Sequence, residues 1–304
     1  MFAIVASSCE RGHRSATIPP PHPSTTATTT TTATTTTTGH PEGEHLIAAG
    51  DITDCKTTDD EKTAGLLAKL PGTIATLGDT VYETGSKAEF ATCFDPSWGR
   101  YKDRIRPAPG NHDYSNGRAD AYFAYFGDAA GPGGSGYYSY DLGSWHIIAL
   151  NSNCAQISCK AASPQQQWLA KDLAEHPAKC TLAYWHHPRF SSGLHGPTKA
   201  LAPLYQTLYD NDVDVVLAGH DHDYERFVPL NPAGQPDSAR GIRNFVVGTG
   251  GRLLYPAIKR DRRTQVINDA TFGVLDLTLG TDAYSWRFVP TSGNFSDSGS
   301  GPCH

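Results

Sequence analysis

The stretch VDVVLAGHDHDYERF, Val213 to Phe227, decides how the rest of the chain is read. Five of the six residues before Gly219 are apolar (Val213, Val215, Val216, Leu217, Ala218), the pattern of a buried strand that stops at a glycine. His220 and His222 follow the stop. In extended backbone, residues two apart project to the same side, so the spacing predicts two imidazoles on one side of a strand's carboxyl end. That is half of a metal site.

Other apolar runs end in the same way. HLIAAGD ends at Asp51, TIATLGD at Asp79 with Tyr82 three residues on, IRPAPGNHD at Asn111-His112-Asp113, and CTLAYWHH at His186-His187. Helical segments are predicted between them, at about Asp60–Leu70 with Leu66, Leu67 and Leu70 on one face, around Ser86–Phe94, over AYFAYF (121–126), and at about Lys199–Tyr209. GYYSYDLGSWHIIALNS reads as a hairpin turning at Leu142-Gly143-Ser144. Ser163-Pro164-Gln165-Gln166 reads as a helix start with a capping box and proline at the first helical position, directing Trp168, Leu169 and Leu173 to the core. The last third is strand-rich with Gly-rich turns. Strand and helix alternate at first and strands dominate later, which predicts an α/β or α+β layered domain of helices covering mixed sheets. In such folds functional groups collect at the carboxyl ends of the strands.

Composition narrows the function classes. The chain has 304 residues, 38% of them hydrophobic, and a net charge of −6 with no basic run long enough to suggest nucleic acid or an anionic membrane surface. No apolar stretch approaches the ~18 residues of a membrane span. Residues 1–43 form a Pro/Thr-rich leader or linker, with PPPHP at 19–23 and only Ser, Thr and Ala from Ser24 to Thr38. Such a tract has nothing to bury and suits an O-glycosylated, solvated segment. Its start, MFAIVASSC, has an apolar segment without a basic n-region. The remaining residues, 44–304, read as one domain.

Seven cysteines form no CxxC pair, which leaves a zinc finger unsupported. Setting Cys9 aside in the leader leaves six. Cys154 and Cys159, five apart in a polar loop, can bridge, with Cys55–Cys93 and Cys180–Cys303 as the remaining pairs; the alternative is six reduced thiols. Leader and cysteines together predict a secreted or cell-surface protein.

The strand-end residues are also chemically complete for two ions. Carboxylates, imidazoles and one amide oxygen suit Zn, Fe or Mn, and a carboxylate can bridge two ions about 3.5–4 Å apart. With its blocks GD (50–51), GDTVY (78–82), GNHD (110–113), WHHP (185–188) and GHDHDYER (219–226), the chain resembles the calcineurin-like metallophosphoesterases over roughly residues 44–304. Within them it is similar to the purple acid phosphatases, and SPQQQWL (163–169) and NSNC (151–154) look like a secreted bacterial branch.

The resemblance implies a four-layer α-β-β-α sandwich of two mixed sheets flanked by helices. It implies that Asp51, Asp79, Tyr82 and His222 bind one metal, with Asp79 bridging to a second held by Asn111, His186 and His220. The ions would be Fe(III), bound by Tyr82, plus Fe, Zn or Mn(II). His112 would bind no metal but would contact phosphate or protonate the leaving oxygen, with Asp113 as the neighbour that orients it. Asn111 and His195 would also meet the substrate. Asp223 to Arg226 are expected to support the ligands from behind. Thr53 stands where many relatives have histidine, a vacancy Tyr82 can fill. His187 is outside the ligand pattern.

The implied reaction is hydrolysis of small phosphate monoesters by a metal-bound hydroxide, as in an acid phosphatase. The alternatives are a phosphodiesterase or nucleotidase on the same site, and a non-catalytic secreted metal-binding module.

Overall fold

In the computed structural model, residues 42–115 and 117–304 are described, so the leader lies almost wholly outside the described residues. The strands are β1 (Glu44–Ala49), β2 (Thr53–Asp54), β3 (Thr73–Leu77), β4 (Val81–Tyr82), β5 (Ile105–Ala108), β6 (Tyr138–Leu142), β7 (Trp145–Ala149), β8 (Cys180–Tyr184), β9 (Val215–Ala218), β10 (Tyr224–Phe227), β11 (Arg243–Val247), β12 (Thr264–Asn268), β13 (Gly273–Leu279), β14 (Ala283–Pro290) and β15 (Ser298–Pro302). The α-helices are α1 (Asp59–Leu67), α2 (Lys87–Glu89), α3 (Asp120–Phe126), α4 (Pro164–Glu175) and α5 (Ala202–Asp210).

Two mixed sheets carry the fold. One runs β15-β14-β13-β1-β3-β5, the other β12-β10-β11-β9-β8-β7-β6, and β2 pairs with β4 in a small ribbon. In the first, β1, β3 and β5 are parallel; in the second, β7, β8, β9 and β11 are. Period-2 burial sets the layers. From β8 and β9, Leu182, Tyr184, Val215 and Leu217 enter the core between the sheets, alongside Leu46, Ala48, Leu275 and Leu277. Their alternates Ala183, Val216 and Ala218 face the other way, onto Leu169 and Leu173 of α4 and Leu204 and Leu208 of α5. With α1 packing Ala64 and Leu67 into the first sheet's core, the order is helix–sheet–sheet–helix, as the sequence predicts. The parallel strands of both sheets point their carboxyl ends to one edge.

Local details differ from the expectations in two places. Ser163 does cap α4, accepting from the Gln166 amide at 3.3 Å, but the Gln166 side chain accepts from Ala162 N at 3.1 Å, so the reciprocal bond of a capping box is not made. The full capping box is at Ser86–Glu89 instead, and the helix it starts passes into a π-helical turn at Phe90–Phe94. Three disulfides form, Cys55–Cys93, Cys154–Cys159 and Cys180–Cys303, matching the bridged alternative.

A buried ion pair ties the β6–β7 hairpin to α4. His146 Nε2 lies 2.9 Å from Asp172 Oδ2, and its Nδ1 lies 3.0 Å from Asp141 Oδ1. Burial alone would push the imidazole's pKa down, but its hydrogen bonds to Asp172 and Asp141 raise it above the usual 6.5. Burial would likewise push Asp172 up, but the His146 bond holds it below 3.8. The His146 term is fully present below pH 6.5 and is lost as pH rises through its raised pKa. The Asp172 term is present above pH 3.8 and is lost as pH falls through its lowered pKa. His146→Gln is therefore expected to cost about 1–3 kcal/mol between those limits and less once pH has risen through the raised pKa of His146. Denaturant unfolding of both proteins across pH reads this; a pH-independent difference would refute the charged pair.

Candidate metal centre

Each candidate ligand follows the carboxyl end of a strand or its adjoining turn. Asp51 follows β1, Asp79 β3, Asn111 β5, His186 β8 and His220 β9, while Tyr82 lies in β4. Asp51, Asp79 and His220 have φ of 59°, 48° and 71°, the left-handed region that non-glycine residues rarely adopt. The left-handed turn at each strand end swings the side chain out of the pleat towards a common centre. The glycines before these residues leave no room for a side chain: a Cβ on Gly219 would stand 2.7 Å from Asp51 Oδ2, and one on Gly110 would run into Asp79.

Two groups of donors result. In the first, the Tyr82 hydroxyl lies 2.8 Å from Asp51 Oδ1, 2.9 Å from Asp79 Oδ2 and 3.2 Å from His222 Nε2. In the second, His186 Nε2 lies 3.0 Å from Asn111 Oδ1, 3.2 Å from His220 Nδ1 and 3.3 Å from Asp79 Oδ2. Asp79 Oδ2 belongs to both. All seven predicted ligands are brought together, divided as the sequence reading divides them. The same-side expectation for His220 and His222 does not hold, however. The left-handed φ of His220 breaks the extended repeat, so the two rings enter different groups.

The remaining polar atoms orient the set. His186 Nδ1 donates to the Leu77 carbonyl at 2.8 Å and His222 Nδ1 to the Leu253 carbonyl at 2.6 Å, which turns each Nε2 lone pair inward. Backbone amides of His220 and His112 hold the outer oxygens of Asp51 and Asp79, at 2.7 and 2.8 Å.

These residues fit a pair of cations. The Tyr82 hydroxyl has one proton for three acceptors, and burial with the charges of Asp51 and Asp79 pushes its pKa well up. Burial and the neighbouring His186 imidazole push His220 down. Burial would also lower His186, but the Asp79 carboxylate overrides it and raises His186 to about 9. Such crowding of buried anions and facing imidazoles is relieved by a cation in each group, and the donor set of carboxylate, imidazole, phenol and amide oxygen suits Fe, Zn or Mn.

His112 lies beside the ligands without joining them. Its ring centroid is 4.3 Å from that of Tyr82, and its Nδ1 donates to the Glu83 carbonyl at 2.7 Å. Asp113 does not orient it. The buried Asp113 carboxyl instead accepts from Gly110 N at 2.8 Å and Thr80 N at 3.3 Å, clamping the GNHD turn to the GDT turn. Burial and the Asp79 charge raise its pKa to about 7. His195 is exposed at the rim, its ring 4.4 Å from His220, and its amide is held by Asp221 Oδ1 at 2.7 Å. His187 packs on His220 at 4.4 Å and bonds Ser152 Oγ at 2.9 Å.

Support from Asp223 to Arg226 is only partly as expected. Glu225 accepts from Ser192 N at 2.8 Å and so braces the segment that leads to His195. Arg226 turns away to Asp297, and Asp223's carboxyl has no hydrogen-bond partner among the described residues. Asp221 bears most of the His195 segment.

The turn after β11 was passed over in the sequence. Tyr255 stacks on His222 at 4.2 Å and 12°, and Arg252 sits 4.7 Å over the Tyr82 ring while pairing with Asp54 and Glu83. The only signal was GTGGRLLY (248–255), a Gly-rich strand end with no acid or histidine.

The sequence profile of the family described as calcineurin-like phosphoesterase matches residues 38–224. Purple acid phosphatase 15 of Arabidopsis thaliana is 27% identical over 256 residues, which cover 70% of this chain and 46% of that protein. Among solved structures, purple acid phosphatase PPD1 from yellow lupin (Lupinus luteus) seeds superposes with a TM-score of 0.67 at 16% identity, covering 86% of this chain and 54% of that one. GAP50, described as the anchor in the inner membrane complex of Plasmodium, superposes with a TM-score of 0.64 at 15% identity, covering 84% and 87%. The chain thus spans about half the length of the plant proteins it matches. At these identities the superpositions establish the fold.

The close approach of Gly110 to Asp79 gives a direct test of the packing. Gly110→Ala is expected to push the Asn111–Asp113 turn away and to cost about 1–3 kcal/mol in thermal melts of metal-free protein. Gly65→Ala, in α1 with nothing within 4 Å of the added carbon, should instead stabilise by about 0.5–1 kcal/mol. Equal melting temperatures for the two variants would contradict the packing described.

Proposed function

The chain belongs to the calcineurin-like phosphoesterase family, and from that premise we propose that residues 44–304 form a two-metal phosphatase of the purple acid phosphatase kind, acting on small phosphate monoesters. One observation carries the reading: the Tyr82 oxygen stands within 2.8–3.2 Å of Asp51, Asp79 and His222. A phenol in that position makes an Fe(III) site, where a histidine-based group would suit a divalent ion. Asp51, Asp79, Tyr82 and His222 would hold Fe(III). Asp79, Asn111, His186 and His220 would hold Fe, Zn or Mn(II).

Bound there, the two ions supply Lewis acidity, lowering the pKa of water and offsetting charge on phosphoryl oxygens. The rest is done by side chains. With Nδ1–H committed to the Glu83 carbonyl, a second proton on His112 resides at Nε2, the nitrogen turned from the anchor. From Nε2, His112 can donate to a phosphoryl oxygen or give a proton to the leaving oxygen. Asn111, beside His186, and His195, beside His220, would orient the ester. Asp113 acts only by fixing the turn that bears Asn111 and His112.

A non-catalytic role leaves His112 unexplained, since a structural metal site has no use for a tethered histidine outside its ligand set. Three disulfides favour an oxidising compartment, so export or display at the cell surface goes with this reading.

His112→Ala is expected to keep both metals and lose about 10²–10⁴-fold in kcat on an aryl phosphate. Loss of metal in that variant would refute the assigned role. Tyr82→Phe should abolish the visible phenolate-to-Fe(III) band of the purified protein. A colourless, active wild type would show that Tyr82 does not ligate iron. Wild-type preference for a bis-aryl phosphate would replace the monoesterase with a diesterase, and inertness to both esters after metal loading would leave a binding module.

A further inference from the structure

A separate group of donors sits towards the amino ends of the strands. His146 of β7 pairs with Thr181 of β8, and His186 lies five residues further on, roughly 16 Å along extended backbone. Here His146 meets Asp172 and His176 from the end of α4, with one ligand atom of each within 4.8 Å of the others. Three other groups of this kind occur among the described residues. Two belong to the strand-end centre, and the third, Cys180, Asp214 and Cys303, has both sulfurs committed to a disulfide.

The spacing suits an ion. Nitrogen and oxygen ligands about 2.0–2.2 Å from a tetrahedral zinc stand about 3.3–3.4 Å from one another. His146 Nε2 lies 2.9 Å from Asp172 Oδ2, and His176 Nδ1 lies 3.5 Å from Asp172 Oδ1, on either side of that value. The neighbours are those of a ligand set. Asp141 Oδ1 accepts from His146 Nδ1 at 3.0 Å, which aims the Nε2 lone pair at Asp172, and Ser139 Oγ donates to Asp172 Oδ1 at 2.7 Å. A carboxylate on the far nitrogen is the usual support of a metal-bound imidazole. An ion pair needs only His146 and Asp172. It leaves no part for His176, whose ring lies parallel to that of His146 at 5.1 Å and 7°, with Nδ1 held 3.0 Å from the Asp172 carbonyl. His146 and Asp172 are buried and His176 is half-exposed, so the group is reached from solvent on the His176 side.

We propose that His146, Asp172 and His176 bind a zinc ion, with water in the remaining position, that clips the β6–β7 hairpin to the end of α4. Two imidazoles with one carboxylate favour zinc over magnesium or calcium, which take oxygen shells. The ion replaces the proton between His146 Nε2 and Asp172 Oδ2, and that proton goes to solvent. The clip secures an edge. β6 ends its sheet and pairs with β7 alone among the described strands, and its Ser139 and Asp141 are the residues that hold the proposed ligands. The site is structural and independent of the strand-end centre.

The test counts zinc by elemental analysis after equilibrium dialysis of the whole protein against zinc. Wild type is expected to carry one zinc more than His176→Ala, a change at a half-exposed side chain just past the helix. Asp141→Asn, at a side chain 71% exposed, should fold as wild type and bind that zinc about 10–100-fold more weakly in competition with a chelator. Anomalous scattering at the zinc edge from a zinc-soaked crystal should place an ion between His146 Nε2 and Asp172 Oδ2. Equal zinc content in wild type and His176→Ala, unchanged affinity in Asp141→Asn, or zinc confined to the strand-end centre would overturn the proposal. The strand-end residues are the same in all three proteins, so the difference in zinc stands or falls separately from the phosphatase reading.

Discussion

The carboxylate of Asp79 is the constraint on which the rest of the site depends. Its Oδ2 is 2.9 Å from the Tyr82 oxygen and 3.3 Å from His186 Nε2, while the His112 amide fixes its other oxygen. Asp79 comes from the end of a strand in one sheet and His186 from the end of a strand in the other. One buried anion thus registers the two sheets against each other at their carboxyl edge. Without a cation it is stabilised by the His186 imidazole, whose pKa it raises to about 9. A buried charge needs such a partner, and a cation bound there would take the place of the proton.

The geometry that delivers these side chains is costly locally. Three non-glycine residues in left-handed conformations each cost about 1–3 kcal/mol, and they persist only where surrounding structure over-determines them. Here the determinants are the parallel strands behind them and the tight glycine contacts between neighbouring strand ends. The core between the sheets supplies the rigidity, and the strand ends convert it into fixed distances between donors.

Much of this was legible in the sequence. Apolar runs ending at Asp51, Asp79, Asn111, His186 and His220 marked the strand ends, because side chains at known spacing carry that signal, while the four layers and the places of Tyr82 and His222 came from the family resemblance. The failures share a cause. Asp113 is adjacent to His112 in sequence, yet its carboxyl turns to Gly110 and Thr80, a choice made by the fold of the turn. The His220–His222 spacing implied one face, until a left-handed φ at His220 sent the rings apart. Leu253 orients His222 through a carbonyl that any residue would provide, so no sequence pattern marks it. Arg252 and Tyr255 act through ring faces that only tertiary packing brings to Tyr82 and His222.

That division has a consequence for specificity. Ligand identity resides in side chains at strand ends, where almost any change would disturb the Asp79 contacts. Ligand orientation resides in backbone carbonyls at Leu77 and Leu253, which tolerate many side chains. The Leu253 and Ile258 side chains are therefore free to face water while their segment still positions His222. The same holds for Leu194, one residue before His195, whose own placement depends on its backbone amide and Asp221. The side chains of Leu194, Leu253 and Ile258 can therefore change without altering the candidate donors, because the bonds that place His222 and His195 start from the Leu253 carbonyl and the His195 amide.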